Sequence, residues 1–167
     1  LGLHGVQLAR LAGARVIAQT GAPAKAAALR EAGAHEVVVL PRGEDFSVAV
    51  KDLTGGEGAD VVIDNVGTPL FQPTRRSVAK AGRWVLVGQL TGDFVPFNPA
   101  QLFLRGTSLL SATSTTRQEL QQVLGLLARG ALRAVVDRVL PLHAAAEAHL
   151  AVEAGAATGR IVLRPAP

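Results

Sequence analysis

Several short stretches of this sequence place glycines and small polar residues where a backbone could lie against a ligand. In Asp60-Val61-Val62-Ile63-Asp64-Asn65-Val66-Gly67, a β-branched run ends in Asn65, Val66 and Gly67. In Gly82-Arg83-Trp84-Val85-Leu86-Val87-Gly88-Gln89, a second run ends in Val87, Gly88 and Gln89. Each reads as a buried strand running into a glycine at its carboxyl end, the edge at which open α/β sheets bind ligands. A glycine there lets a flat ring or a ribose approach the main chain; the plainer alternative is a simple β-to-α turn. Asp64 reads equally as an N-terminal helix charge and as a structural carboxylate at a strand end.

Two further stretches point to the kind of ligand. The opening Leu1-Gly2-Leu3-His4-Gly5-Val6 reads as the end of a glycine-rich phosphate-binding turn. Gly2 would be its close-packing glycine, and a helix starting near Leu3 would turn its positive end toward a pyrophosphate. An ordinary glycine before a helix is the alternative. A strand over residues 15–18 follows and ends in Ala18-Gln19-Thr20-Gly21-Ala22-Pro23-Ala24-Lys25. NAD-selective sites commonly carry Asp or Glu at this point, to hold the ribose hydroxyls. No acid occurs between Arg15 and Glu31. Thr20, Gly21 and Lys25 therefore leave room and positive charge for a 2′-phosphate, and NADPH is expected ahead of NADH. Lys25 reads equally as a solvated residue on a helix's first turn.

Other chemistries find no anchor. With Cys at 0 there is no thiolate nucleophile and no cysteine-based zinc site. The 4 histidines (His4, His35, His143, His149) are scattered, so no metal is expected. Ser111 and Ser114 lack a G-x-S-x-G elbow. Net charge is only +4, and Arg75-Arg76 is the sole adjacent basic pair, so no nucleic-acid partner is expected. No apolar run approaches the roughly 20 residues of a membrane helix, and no signal peptide is evident; the cytoplasm is the expected compartment.

The elements that must position these stretches alternate along the chain. Short β-branched runs at 15–18, 36–39, 60–63, 83–87, 108–111 and 160–163 are separated by Ala- and Leu-rich stretches with helical spacing. The runs 61–63 and 84–87 are apolar at nearly every position, as strands buried on both faces are. An α/β fold with a parallel, Rossmann-like doubly wound sheet follows. Gly13, Gly33, Gly82 and Gly130 are expected as helix stops, Pro23 and Pro69 in first helical turns, and Thr116 with Glu119 as a capping box. The 167 residues, 49% hydrophobic and 18% charged, suit a single domain over 1–167.

In their order and spacing these phrases resemble the C-terminal cofactor-binding domain of the medium-chain dehydrogenase/reductase superfamily, of the zinc-binding dehydrogenase type. The resemblance is closest to the quinone oxidoreductase (zeta-crystallin-like) branch and the related enoyl-thioester reductases. It covers the whole chain, from the opening glycines through Gly13-Ala14-Arg15-Val16-Ile17-Ala18 to the closing Thr158-Gly159-Arg160-Ile161-Val162-Leu163. It implies that Gly2 is the last fingerprint glycine and that Gly21 and Lys25 face the adenosine ribose and its 2′-phosphate, with His35 near the adenine. Asn65, Val66 and Gly67 would line the groove. Val87, Gly88 and Gln89 would pass the nicotinamide ribose, and Ala112 and Thr113 would reach the carboxamide. No catalytic residue is implied in this half.

The resemblance also implies hydride transfer to a quinone or an activated C=C, and a homodimer paired through the strand at 108–111. With Met at 0 and an opening inside a turn, the chain is expected to be truncated. The first strand and an N-terminal GroES-like catalytic domain, which forms most of the substrate pocket, would lie before it. Alone it would be poorly stable and reduce nothing. The rival readings are the cofactor domain of a zinc-type alcohol dehydrogenase and a non-catalytic nucleotide-binding or interaction module.

Overall fold

The computed structural model describes residues 1–41 and 43–166. Strands and helices alternate along most of the chain. α1 (Gly2–Leu11) precedes β1 (Ile17–Thr20), α2 (Ala26–Glu31), β2 (Glu36–Val39), α3 (Ser47–Leu53) and β3 (Ala59–Asp64). Then come α4 (Phe71–Ser77), β4 (Val78–Leu86), α5 (Ala100–Phe103), β5 (Ser108–Ser111) and α6 (Arg117–Ala128). β6 (Val136–Pro141), α7 (Ala145–Glu153) and β7 (Arg160–Arg164) close the chain. Among the described residues no helix is long and apolar enough to cross a membrane.

All strand pairs are parallel, as expected of an α/β fold, but the sheet is built in pieces: β1-β2, β3-β4-β5 and β6-β7. Doubly wound order would put a strand between β1 and β3, and no such strand is among the described residues. β1 and β3 each keep an unpaired edge.

Both faces of β1-β2 are covered. Ala18 packs with Val6 of α1, Leu29 of α2 and Val37 in one apolar cluster. The adjacent residues Ile17 and Val38 point the other way, into a cluster with Phe46, Val50 of α3 and Leu70. That period-two alternation, with a helix layer on each side, is the doubly wound arrangement. In the next sheet Phe71 of α4 packs on Trp84, with Val78, Val62 and Leu86 around them. Val61 and Ile63 are each 51% exposed. The expectation that β3 is buried on both faces is thus corrected, because the cluster under α4 takes only its alternate residues.

Turn chemistry explains most element ends. Gly13, Gly33 and Gly130 have positive φ of 82°, 108° and 71°, as helix stops require. Pro23 begins one short 3-10 turn and Pro69 lies second in another. Thr116 and Glu119 form a reciprocal capping box at the start of α6. Gly82 is a different case, and its expected role as a helix stop is corrected. It lies inside β4, next to a register jump against β3, and the left-handed residue is Ala81, at φ 58°. Ala81 is held there by donating its N–H to the Arg105 carbonyl at 2.8 Å. A Cβ on Gly82 would lie 2.8 Å from Val78 Cγ1, 3.0 Å from the Ala79 oxygen and 3.2 Å from the Ala59 oxygen. Gly82→Ala should therefore destabilise the protein by about 1–3 kcal/mol, the usual cost of overpacking, read as a lower denaturant midpoint with an unchanged slope.

Candidate functional site

α1 begins with no side-chain cap. The His4 and Gly5 amides donate to the Leu1 carbonyl, each at 3.0 Å, whereas those of Gly2 and Leu3 have no partner inside the helix, at the positive end of its dipole. At this end lies a cleft of about 230 Å³ whose lining includes Gly2, His4, Gln19, Thr20, Lys25 and Arg160. β1 delivers Gln19 and Thr20, the turn opened by Pro23 delivers Lys25, and β7 delivers Arg160. The Thr20 hydroxyl accepts the Ala22 N–H at 3.2 Å and so folds the chain over at Gly21. Burial, foremost, and the nearby Arg160 guanidinium hold the His4 imidazole below its usual range, which favours the neutral form. Net positive charge in the cleft then rests on Lys25 and Arg160. A Cβ at Gly2 would meet no atom within 4 Å.

The wall that carries Arg160 is fastened by Asp137. Its carboxylate accepts the Thr158 N–H at 2.8 Å and Arg138 Nε at 2.7 Å. These two bonds hold Asp137 below its ordinary pKa, the Thr158 amide more than Arg138. A reciprocal clamp from Gln7 docks the same C-terminal unit on α1: its side-chain amide donates to the Arg133 carbonyl at 3.1 Å and accepts the Arg133 N–H at 2.8 Å.

A second constellation forms where the turns after β3 and β4 cross. Asp64, only 5% exposed, accepts the N–H groups of Val66 and Gly67 on Oδ1, each at 2.9 Å. Its Oδ2 accepts the indole N–H of the fully buried Trp84 at 3.1 Å. The Asp64 carbonyl takes the Val87 N–H at 2.8 Å and the Gly88 N–H at 3.3 Å. Of the two readings of Asp64 left open by sequence, the structure selects the strand-end carboxylate. The turns touch so closely that a Cβ on Gly88 would lie 2.9 Å from the Asn65 oxygen, and one on Gly67 2.9 Å from the Gly88 oxygen. Gly67 also has φ 74°. The Gln89 amide faces Thr68, accepting its N–H at 3.0 Å and donating to its hydroxyl, so it ties the two turns together.

The sequence-derived residues therefore fall into two groups. Gly2, Thr20 and Lys25 meet at the cleft, with Gly21 beside them. Asn65, Val66, Gly67, Val87, Gly88 and Gln89 meet at the crossing turns, and Ala112 joins them through its N–H to the Leu86 carbonyl at 2.9 Å, with Thr113 next to it. His35 belongs to neither group. Its Nδ1 accepts the Val16 N–H at 2.9 Å, at the amino-terminal ends of β1 and β2, whereas Thr20 and Lys25 lie beyond the carboxyl end of β1. Sequence reasoning did not single out Arg160, Asp137 or the role of Trp84. Arg160 offered one signal, a cation at the head of the apolar run 161–163. The other two act through contacts remote in sequence.

A parallel α/β fold with a helix N-terminus, two cations and crossing glycine turns defines a Rossmann-like nucleotide-binding domain. The family model for zinc-binding dehydrogenase matches residues 1–129, and the chain belongs to that family, within the medium-chain dehydrogenase/reductase superfamily. Quinone oxidoreductase of Pseudomonas aeruginosa is 30% identical over 99% of this chain and 53% of its own length. The solved structure of AibC shares 45% identity at TM-score 0.91, covering 99% of this chain and 46% of that one. An NAD-dependent alcohol dehydrogenase shares 36% at TM-score 0.90, over 97% and 47%. The mycobacterial protein Rv1454c complexed with NADPH shares 29% at TM-score 0.83, over 98% and 53%. The chain spans about half the length of the curated relatives it matches.

The family's zinc does not fit the donors present. The chain has no cysteine, and among the described residues no group of three His, Cys, Asp or Glu is placed to hold a metal.

The Asp137 geometry sets a pH dependence. A carboxyl with a depressed folded-state pKa contributes stability that is full above its unfolded pKa and is lost as pH falls through the folded value. Lowering the pH from about 5 to 2 should therefore lower the melting midpoint, and Asp137→Asn should flatten part of that slope. An unchanged slope in the variant would contradict the role given to Asp137.

Proposed function

We propose that this chain is the NADPH-binding domain of an oxidoreductase that transfers hydride to a quinone or to an activated C=C, as in an enone or enoyl thioester. The observation that carries the reading is the cleft at the α1 N-terminus, where Lys25 and Arg160 stand beside Thr20 with no acid on the β1 end to repel a phosphate. The free amides of α1 would take the pyrophosphate, and the two cations would take the 2′-phosphate through charge-assisted bonds. The crossing turns at 65–67 and 87–89 would pass the nicotinamide ribose, because glycine at 67 and 88 leaves main chain open to it. Ala112 and Thr113, at the end of β5, would bound the carboxamide. Hydride itself is the nicotinamide's chemistry; these residues bind and orient.

The substrate would be held largely by a second, GroES-like domain. The open outer edge of β5 suits pairing with a second copy across a two-fold axis, and the cytoplasm is the proposed location. One observation favours a second reading, an NAD-linked alcohol dehydrogenase: a solved structure of that kind is 36% identical. Cofactor choice separates the two. In the intact protein carrying this chain, Lys25→Ala and Arg160→Ala should each weaken NADPH binding about tenfold, the size of one lost charge-assisted contact, and leave NADH binding unchanged by calorimetry. Equal loss for both cofactors, or tighter binding of NADH than NADPH in the unmutated protein, would favour the second reading. Binding of neither would favour a non-catalytic module.

A further inference from the structure

Trp84 is fully buried and its ring lies 4.7 Å from that of Phe71, tilted by 50°. For packing alone a phenylalanine would serve. What the indole adds is one N–H, and that N–H points at the buried Asp64 carboxylate. Oδ2 of Asp64 has Trp84 as its partner, while Oδ1 fastens the amides of Val66 and Gly67. The same residue's carbonyl fastens Val87 and Gly88. One residue thus sets the positions of both crossing turns, and one donor from the neighbouring strand fixes the rotamer of that residue. An unpaired buried carboxylate oxygen is costly, so without the indole the carboxylate would turn or draw in water, and the turn at 65–67 would move with it.

We propose that the Asp64–Trp84 pair is the positioning element of the nicotinamide half of the groove, acting through the turns at 65–67 and 87–89 and independently of the cationic cleft at α1. This rests on the nicotinamide dinucleotide reading given above. Neither side chain touches the ligand in this account, so both are positioning residues. Asp64→Asn is informative for a chemical reason. Asparagine can offer oxygen to the two turn amides only by aiming its own N–H₂ at the Trp84 N–H, and the flipped amide aims N–H₂ at the turn amides. Either way donors face donors. Removing the indole N–H as well relieves that conflict.

The test uses the intact protein and two ligands, NADPH and 2′,5′-ADP, which carries the adenosine half alone. Trp84→Phe should weaken NADPH about tenfold, as loss of one hydrogen bond to a charged group would, and leave 2′,5′-ADP within about twofold of the unmutated protein. Asp64→Asn should weaken NADPH further, and the double variant Asp64→Asn/Trp84→Phe should recover affinity relative to Asp64→Asn alone. A purely structural role predicts parallel losses for both ligands and no recovery in the double variant; either result overturns the proposal, as does unchanged NADPH affinity in Trp84→Phe. If Asp64→Asn does not fold, the two-ligand comparison in Trp84→Phe decides alone. If the unmutated protein binds 2′,5′-ADP but not NADPH, the inference falls while the adenosine cleft stands. If it binds neither, the functional reading itself falls and takes the inference with it.

Discussion

Asp64 lies buried at the carboxyl end of β3, with its side chain committed to the turn that follows its own strand and its carbonyl committed to the turn that follows β4. A buried carboxylate is tolerated only when its oxygens are satisfied, and here the main chain of one turn and the indole of Trp84 satisfy them. The close approach that results leaves no room for a Cβ at Gly67 or Gly88. The glycines are therefore consequences of the junction as much as features of a ligand groove. Moving either turn would strand a carboxylate or drive a side chain into a carbonyl.

The cleft at the start of α1 has a different origin. It is made where three remote pieces of chain meet: the start of α1, the turn after β1 and the head of β7. The Gln7 clamp on Arg133 and the Asp137 bond to the Thr158 amide bring the last of these into place. Its charge comes from Lys25 and Arg160, its partial positive potential from the α1 dipole. The two halves of the site thus rest on separate physical supports, one a buried polar junction and the other a docked βαβ unit.

Much of this was legible in the sequence where a local rule governs the outcome. Alternating β-branched and Ala/Leu-rich runs located β1 to β5 and β7, and glycines with positive φ ended α1, α2 and α6 as expected. The Thr116 and Glu119 spacing gave its capping box. Reading failed where long-range packing decides. β6 carries Asp137 and Arg138 at its centre, so it shows no apolar run and exists through pairing with β7. Gly82 looked like a helix stop, but the Arg105 carbonyl holds Ala81 left-handed instead, and Gly82 is needed for clearance. For the two site halves, residue types could be read in advance; the Asp64 junction and Arg160 could not, since each depends on a contact between distant segments.

The central claim is that one nicotinamide dinucleotide spans these two halves, phosphate end at α1 and reactive end at the crossing turns. A crystal structure of the intact protein with NADPH tests it most directly. The 2′-phosphate should lie between Lys25 and Arg160, the pyrophosphate over the first turn of α1, and the nicotinamide ribose against Gly67 and Gly88. A dinucleotide bound with its 2′-phosphate away from both cations, or with its nicotinamide remote from the 65–67 and 87–89 turns, would contradict it.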